Sequence, residues 1–194
     1  MKTVKLFIIM MILSTSPIMA EIERVTIRWK PAFCPASCAQ GLEKSLSGIR
    51  EVAEVNVQLE AGQANLRWKP NQKFSYDQIN RAMRMIGVSV QEINVSVRGT
   101  IEHSSREVEL VSLGDNTRFT LLSPIQPTVD QSVARNNPES YQLTESTRER
   151  LIAAEKDDRI ITIQGPLFEP FRAPPLYLII QQAQIPPPTE KVKR

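Results

Sequence analysis

Between Arg24 and Val95 the apolar residues switch between a period of two and a period near 3.6 four times, and few folds can absorb that order. Val25, Ile27 and Trp29 alternate with Thr26, Arg28 and Lys30, which predicts a half-buried strand ended by Pro31. Cys38, Leu42 and Leu46 then fall four apart, with Ile49 extending the stripe. That spacing predicts a helix from about Ser37 to Ser47, stopped by Gly48. Ala53, Val55, Val57 and Leu59 are expected to face inward against Glu54, Asn56, Gln58 and Glu60. Glu60-Ala61-Gly62-Gln63 predicts a hairpin turn, and Ala64, Leu66 and Trp68 the return strand, closed by Pro70. Ser75 and Gln78 form a capping box for a second helix, striped by Ile79, Ala82, Met83 and Ile86 and ended by Gly87. Val88, Val90, Ile93 and Val95 predict a last strand, irregular near Gln91-Glu92. The order is β-α-β-β-α-β, the split βαβ or ferredoxin-like arrangement.

Beyond it the pattern changes. Val97 to Ile101 continues the strand or opens a new one; Val108, Leu110 and Ser112 alternate; Gly114-Asp115-Asn116 is a turn; Arg118 to Leu122 is another strand. Residues 123–143, rich in Pro, Gln, Asn and Ser, are expected to form a long loop. A short helix over Thr147–Glu155 buries Leu151, Ile152 and Ala154, a strand over Ile160–Ile163 ends at Gly165-Pro166, and Leu176–Ile180 is the last strand. A helix between the third and fourth of five strands is how an OB-fold barrel is built, with Gly99 and Gly165 where the barrel bends. The expected class is therefore α+β, a ferredoxin-like domain (21–96) followed by a small OB-like β domain (97–185) and a disordered tail (186–194).

Residues 1–20 stand apart. Lys2 and Lys5, the apolar run Leu6–Leu13 and a small residue at Ala20 predict a cleaved secretory signal, too short to anchor in a bilayer. A periplasmic or secreted protein follows. Without Lys2 and Lys5 the 24 Lys+Arg fall to 22 against 21 Asp+Glu, so there is no electrostatic case for nucleic acid. Met1, Met10, Met11 and Met19 leave with the signal, and Met83 and Met85 are assigned to the second helix. With His103 as the sole histidine, no Ser/His/Asp arrangement is possible; no glycine-rich phosphate loop exists. His103 itself, in Glu102-His103-Ser104-Ser105, and the acids Glu145, Glu149, Asp157 and Asp158 read as solvated surface, and no catalytic residue is assigned.

Both cysteines sit in Cys34-Pro35-Ala36-Ser37-Cys38, between the first strand and the first helix. On these residues, 24 to about 95 resemble the heavy-metal-associated domain family, which includes small copper chaperones and exported mercury-binding proteins. The family motif is Gly-Met-x-Cys-x-x-Cys after the first strand. Its helix positions fall on Leu42, Leu46 and Ile49, its hairpin and third strand on Glu60–Trp68, and its second helix on Ser75–Gly87. The strand matches when aligned on Cys34 and the helix when aligned on Cys38, so the one extra residue of this C-x3-C lies inside the loop. The family's Met is Ala32 here, with Phe33 beside it; its Gly before the second strand is Glu51, and its aromatic residue after the second helix is Val88.

The resemblance implies a soft-metal site at Cys34 and Cys38. Thiolates favour Cu(I), Hg(II) or Zn(II); copper and mercury accept two ligands, whereas zinc normally takes four that are not nearby. Such a site would act as a carrier or sensor, handing metal to a protein partner by ligand exchange, without catalysis. Two other chemistries stay open. Export favours a Cys34–Cys38 disulfide, inert or redox-active, because residues one helical turn apart lie near the roughly 4.4–6.8 Å that a bridge needs. Alternatively the chain is a non-metal interaction module, since neither fold fixes a function.

Overall fold

The computed structural model describes residues 22–30, 36–124, 138–171 and 174–187. The elements in order are β1 (Ile22–Arg28), α1 (Ala36–Ser47), β2 (Val52–Gln58), β3 (Gln63–Trp68), α2 (Tyr76–Met85), β4 (Glu92–His103), β5 (Val108–Ser112), β6 (Arg118–Leu122), α3 (Glu145–Lys156), β7 (Ile161–Phe168), β8 (Leu176–Ile179) and β9 (Gln182–Gln184), with a 3-10 turn at Pro138–Tyr141. The expected signal segment and the tail from residue 188 lie outside the described residues, as does 125–137 of the expected long loop.

The first half is ferredoxin-like. The strands pair antiparallel in the order β2-β3-β1-β4, with Ile27 opposite both Ala64 on β3 and Ile93 on β4. Val25, Ile27 and Trp29 are buried as the alternation requires, and they share one core with Leu42 and Leu46 of α1 and Ile79 and Met83 of α2. Ser75 caps α2, its hydroxyl accepting from Gln78 N. At the other end Gly87 takes a positive φ of 77°, while Gly87 N–H donates to Arg84 O and Val88 N–H to Met83 O, the paired bonds of a Schellman stop.

Two expectations in this half are corrected. Ala53 is exposed and Val52 is buried instead, because the β2–β3 register slips between Val52 and Glu54, leaving Ala53 as the extra residue of a bulge. The fourth strand starts at Glu92, not Val88: residues 88–91 are not strand, although Val88 is buried and Gln91 N–H donates to Arg28 O.

The second half is a closed five-stranded barrel, consistent with an OB-like domain. Its strands run β4-β5-β6-β8-β7 and back to β4 through Val97 opposite Ile163. The β6–β8 pairing is parallel and the others antiparallel. α3 follows β6 and is longer than expected; Leu151 and Ala154 are buried, but Ile152 is only half-buried. Gly99 and Gly165 sit where neighbouring backbones press in. A Cβ on Gly99 would lie 2.2 Å from Val111 O, and one on Gly165 closer still, 1.8 Å from Ile179 O.

Three strand ends differ from expectation. Ile160 is exposed and precedes β7. β7 does not end at Gly165-Pro166 but runs to Phe168. Pro166 is tolerated because the β4 ladder ends at its pair with Asn94, while on the other edge β9 pairs residues 162–164 and β8 residues 167–168. The last strand is β9, which pairs with β7.

β4 joins the halves. Over Asn94–Val97 it holds β1 on one edge and β7 on the other, then continues to pair β5 from Gly99 to His103. The boundary expected between residues 96 and 97 thus falls inside one strand.

Candidate metal site

The segment expected to carry the site lies in sequence between β1 and α1. Trp29, just past β1, is 3% exposed and its backbone N–H donates to Gly62 O at 2.9 Å. Its indole Nε1 is buried with no hydrogen-bond partner among the described residues, a donor two positions before the loop that residue periodicity alone gives no reason to single out. Arg28 and Glu92 form an ion pair of 3.5 Å at the same end of the sheet. Residues 31–35 lie outside the described residues, and with them Cys34, Ala32 and Phe33.

Cys38 is the third residue of α1 and 9% exposed. It heads the buried stripe that continues through Leu42, Leu46 and Ile49, so packing of the helix fixes where its Cβ can point. α1 is held against α2 by the Ser45 hydroxyl, which donates to Ala82 O at 3.0 Å. A Cβ on Gly41 would come within 3.3 Å of Ile86 Cδ1, a measure of how closely the helices meet. The first turn of α1 carries no acidic side chain, so nothing there opposes the partial positive charge of the helix N-terminus. That field would favour a Cys38 thiolate. Cys38 is disulfide-bonded in this structure, and the chain has one other cysteine, Cys34. A bridged sulfur has no thiolate to offer a metal, so ligation first requires two-electron reduction of the pair.

No other sequence candidate converges on Cys38. His103 ends β4 eleven residues after Glu92, roughly 36 Å along an extended strand, where it pairs with Glu155 of α3. Met83 is in the core and Met85 is 70% exposed. Val88 is buried as core, not as an aromatic wall for the loop. Among the described residues no three His, Cys, Asp or Glu side chains cluster as a metal site. Among the described residues the chemistry at this helix start rests on the Cys38 sulfur, which offers no thiolate while it is bridged. No described helix is long and apolar enough to cross a membrane.

Comparison with known proteins gives the following. Residues 34–89 match the model of the heavy-metal-associated domain. Among solved structures, similarity is found to oxidised MerP from Ralstonia metallidurans CH34 (23% identity, TM-score 0.32, covering 36% of this chain and 93% of that one). It is also found to a chain from work on crosstalk between Cu(I) and Zn(II) homeostasis (16% identity, TM-score 0.31, covering 36% of this chain and 96% of that one). A search of curated proteins finds no match to the chain.

Proposed function

We propose that the chain is an exported carrier or sensor of a soft metal ion, held by Cys34 and Cys38, on the strength of the match of residues 34–89 to the heavy-metal-associated domain model. The observation that carries this is the position of Cys38 in the first turn of α1, with no acid in that turn, four residues after the other cysteine of the sequence. Two sulfurs fit Cu(I) or Hg(II), which accept a near-linear pair, better than Zn(II), which would need further ligands. Cargo would pass to a protein partner by exchange of one sulfur at a time, which a loop site permits. Nothing in this role requires catalysis. The signal-like residues 1–20 support a periplasmic or secreted location. The OB-like half, taken as a second domain, carries no part of the metal site in this reading.

A second reading has one observation in its favour: Cys38 is disulfide-bonded. The chain would then be a non-metal interaction module stapled at the start of α1. Mass spectrometry of protein taken from the compartment where it works separates the two. Retained copper or mercury that disappears in Cys34→Ser supports the carrier. A two-hydrogen deficit that persists when metal is supplied, with no titratable thiol, overturns it.

A further inference from the structure

Where β4 is paired on both edges, β1, β4, β7 and β9 lie side by side as one antiparallel surface. The register aligns Arg24, Ser96, Gln164 and Gln182 in a row across the four strands. On either side of that row Thr26 stands opposite Asn94, and Thr162 opposite Gln184. These positions alternate with the buried Val25, Val95, Val97 and Ile163, so they form the face turned away from the core. They line a cleft of about 240 Å³.

We propose that this cleft binds a small neutral saccharide of one or two rings. Its lining offers four carboxamides, Asn94, Gln164, Gln182 and Gln184, and three hydroxyls, Thr26, Ser96 and Thr162. A carboxamide presents a donor and an acceptor together, which matches a sugar hydroxyl that also does both. A carboxylate or ammonium ligand would use only half of each amide. The two charged residues of the lining, Glu23 and Arg24, are of opposite sign, and Glu23 Oε2 accepts from the Ser96 hydroxyl at 3.4 Å. The cleft therefore selects no net charge.

Within the lining, Asn94 Nδ2 donates to Glu92 Oε1 at 3.2 Å, while Asn94 Oδ1 is buried with no hydrogen-bond partner among the described residues. The volume falls below the roughly 300–1,000 Å³ of sites for drug-sized ligands, which limits the occupant to one or two rings. No aromatic side chain lines the cleft, so binding rests on hydrogen bonds exchanged with water and a dissociation constant of about 1 mM is expected. The cysteines take no part, so this inference stands or falls apart from the metal reading.

The test is a titration of the full, isotope-labelled chain followed by NMR of the side-chain amides. The probes are glucose, N-acetylglucosamine, maltose, cellobiose and N,N′-diacetylchitobiose, each to about 50 mM, some fiftyfold above the expected constant. Glucuronate is the charged control. At least one neutral sugar should shift the amide resonances of Asn94, Gln164 and Gln182 saturably. Gln164→Ala and Gln182→Ala, both at exposed positions and so expected to fold, should each weaken that binding about fivefold. The proposal is overturned by no saturable shift with any neutral sugar, by a response to glucuronate alone, or by affinity unchanged in both variants.

Discussion

Adding one methyl group at Gly165 should unfold far more than the strand that carries it. A Cβ there would press into the Ile179 carbonyl oxygen, with the carbonyl carbon at 3.0 Å and Gln181 N at 3.1 Å, and both are backbone atoms that no rotamer change can move. From 1.8 Å, β8 would have to draw back by about 1.5 Å or more to reach ordinary C···O contact of roughly 3.3–3.6 Å. Two backbone bonds anchor that corner, Gln181 N–H to Gln164 O at 3.0 Å and Ile180 N–H to Leu122 O at 2.8 Å. At about 1 kcal/mol each, plus loosened packing of the fully buried Leu178, Gly165→Ala should cost about 3–5 kcal/mol. That is a large part of the roughly 5–15 kcal/mol by which a domain is stable. Urea unfolding followed by tryptophan fluorescence is the assay, because Trp29 and Trp68 both belong to the ferredoxin-like half while the substitution is in the barrel. Since β4 is held between β1 and β7 over Asn94–Val97, the tryptophan transition should move to lower urea with the barrel. A loss under about 1 kcal/mol would refute the close approach. A tryptophan transition that stays in place would refute the mechanical unity of β4.

Leu42→Ala, at a fully buried position on α1, should lower stability by about 2–5 kcal/mol in chemical denaturation. It should also speed alkylation of the reduced cysteines, since α1 positions Cys38. Burial first, then the Asp77 carboxylate, pushes the Tyr76 phenol above its ordinary range. The folded chain thus keeps this proton at pH values where the unfolded chain loses it. Stability from this group is fully present below a pH of about 10 and declines as pH rises beyond it. Denaturation midpoints across that range should fall less in Tyr76→Phe than in the parent chain.

The ferredoxin-like half was legible because each of its elements buries one face, and a one-sided burden forces the period into the sequence. Cys38, Leu42, Leu46 and Ile49 could be assigned from spacing alone, and Ser75 with Gln78 from capping chemistry. The misses have physical causes. A bulge such as that at Ala53 adds a residue without altering composition, so alternation counts through it and puts the wrong residue inside. Pro166 argues for a strand end only if its missing N–H is needed, and the gap between β8 and β9 removes that need. β9 is Gln-Ala-Gln with all three residues exposed, so it has no apolar signal at all. Its period-two glutamines, like Thr162 and Gln164, became visible as a surface only once register set them in one row. The sharing of β4 was equally hidden, because a strand paired on both edges looks in sequence like any strand with one buried face. Of the proposed metal site, the sequence offered both cysteines as candidates and the helix start, whereas the bridged state of Cys38 came from the structure.

The central claim is that Cys34 and Cys38 form a soft-metal site when reduced, and native mass spectrometry tests it most directly. The full chain is reduced, freed of reductant without oxygen, and offered Cu(I) or Hg(II) against a competing chelator. One ion per reduced chain, none on the oxidised chain, and loss of the ion in both Cys34→Ser and Cys38→Ser is the predicted result. Reduced protein that retains no metal, or retains as much in the serine variants, would contradict it.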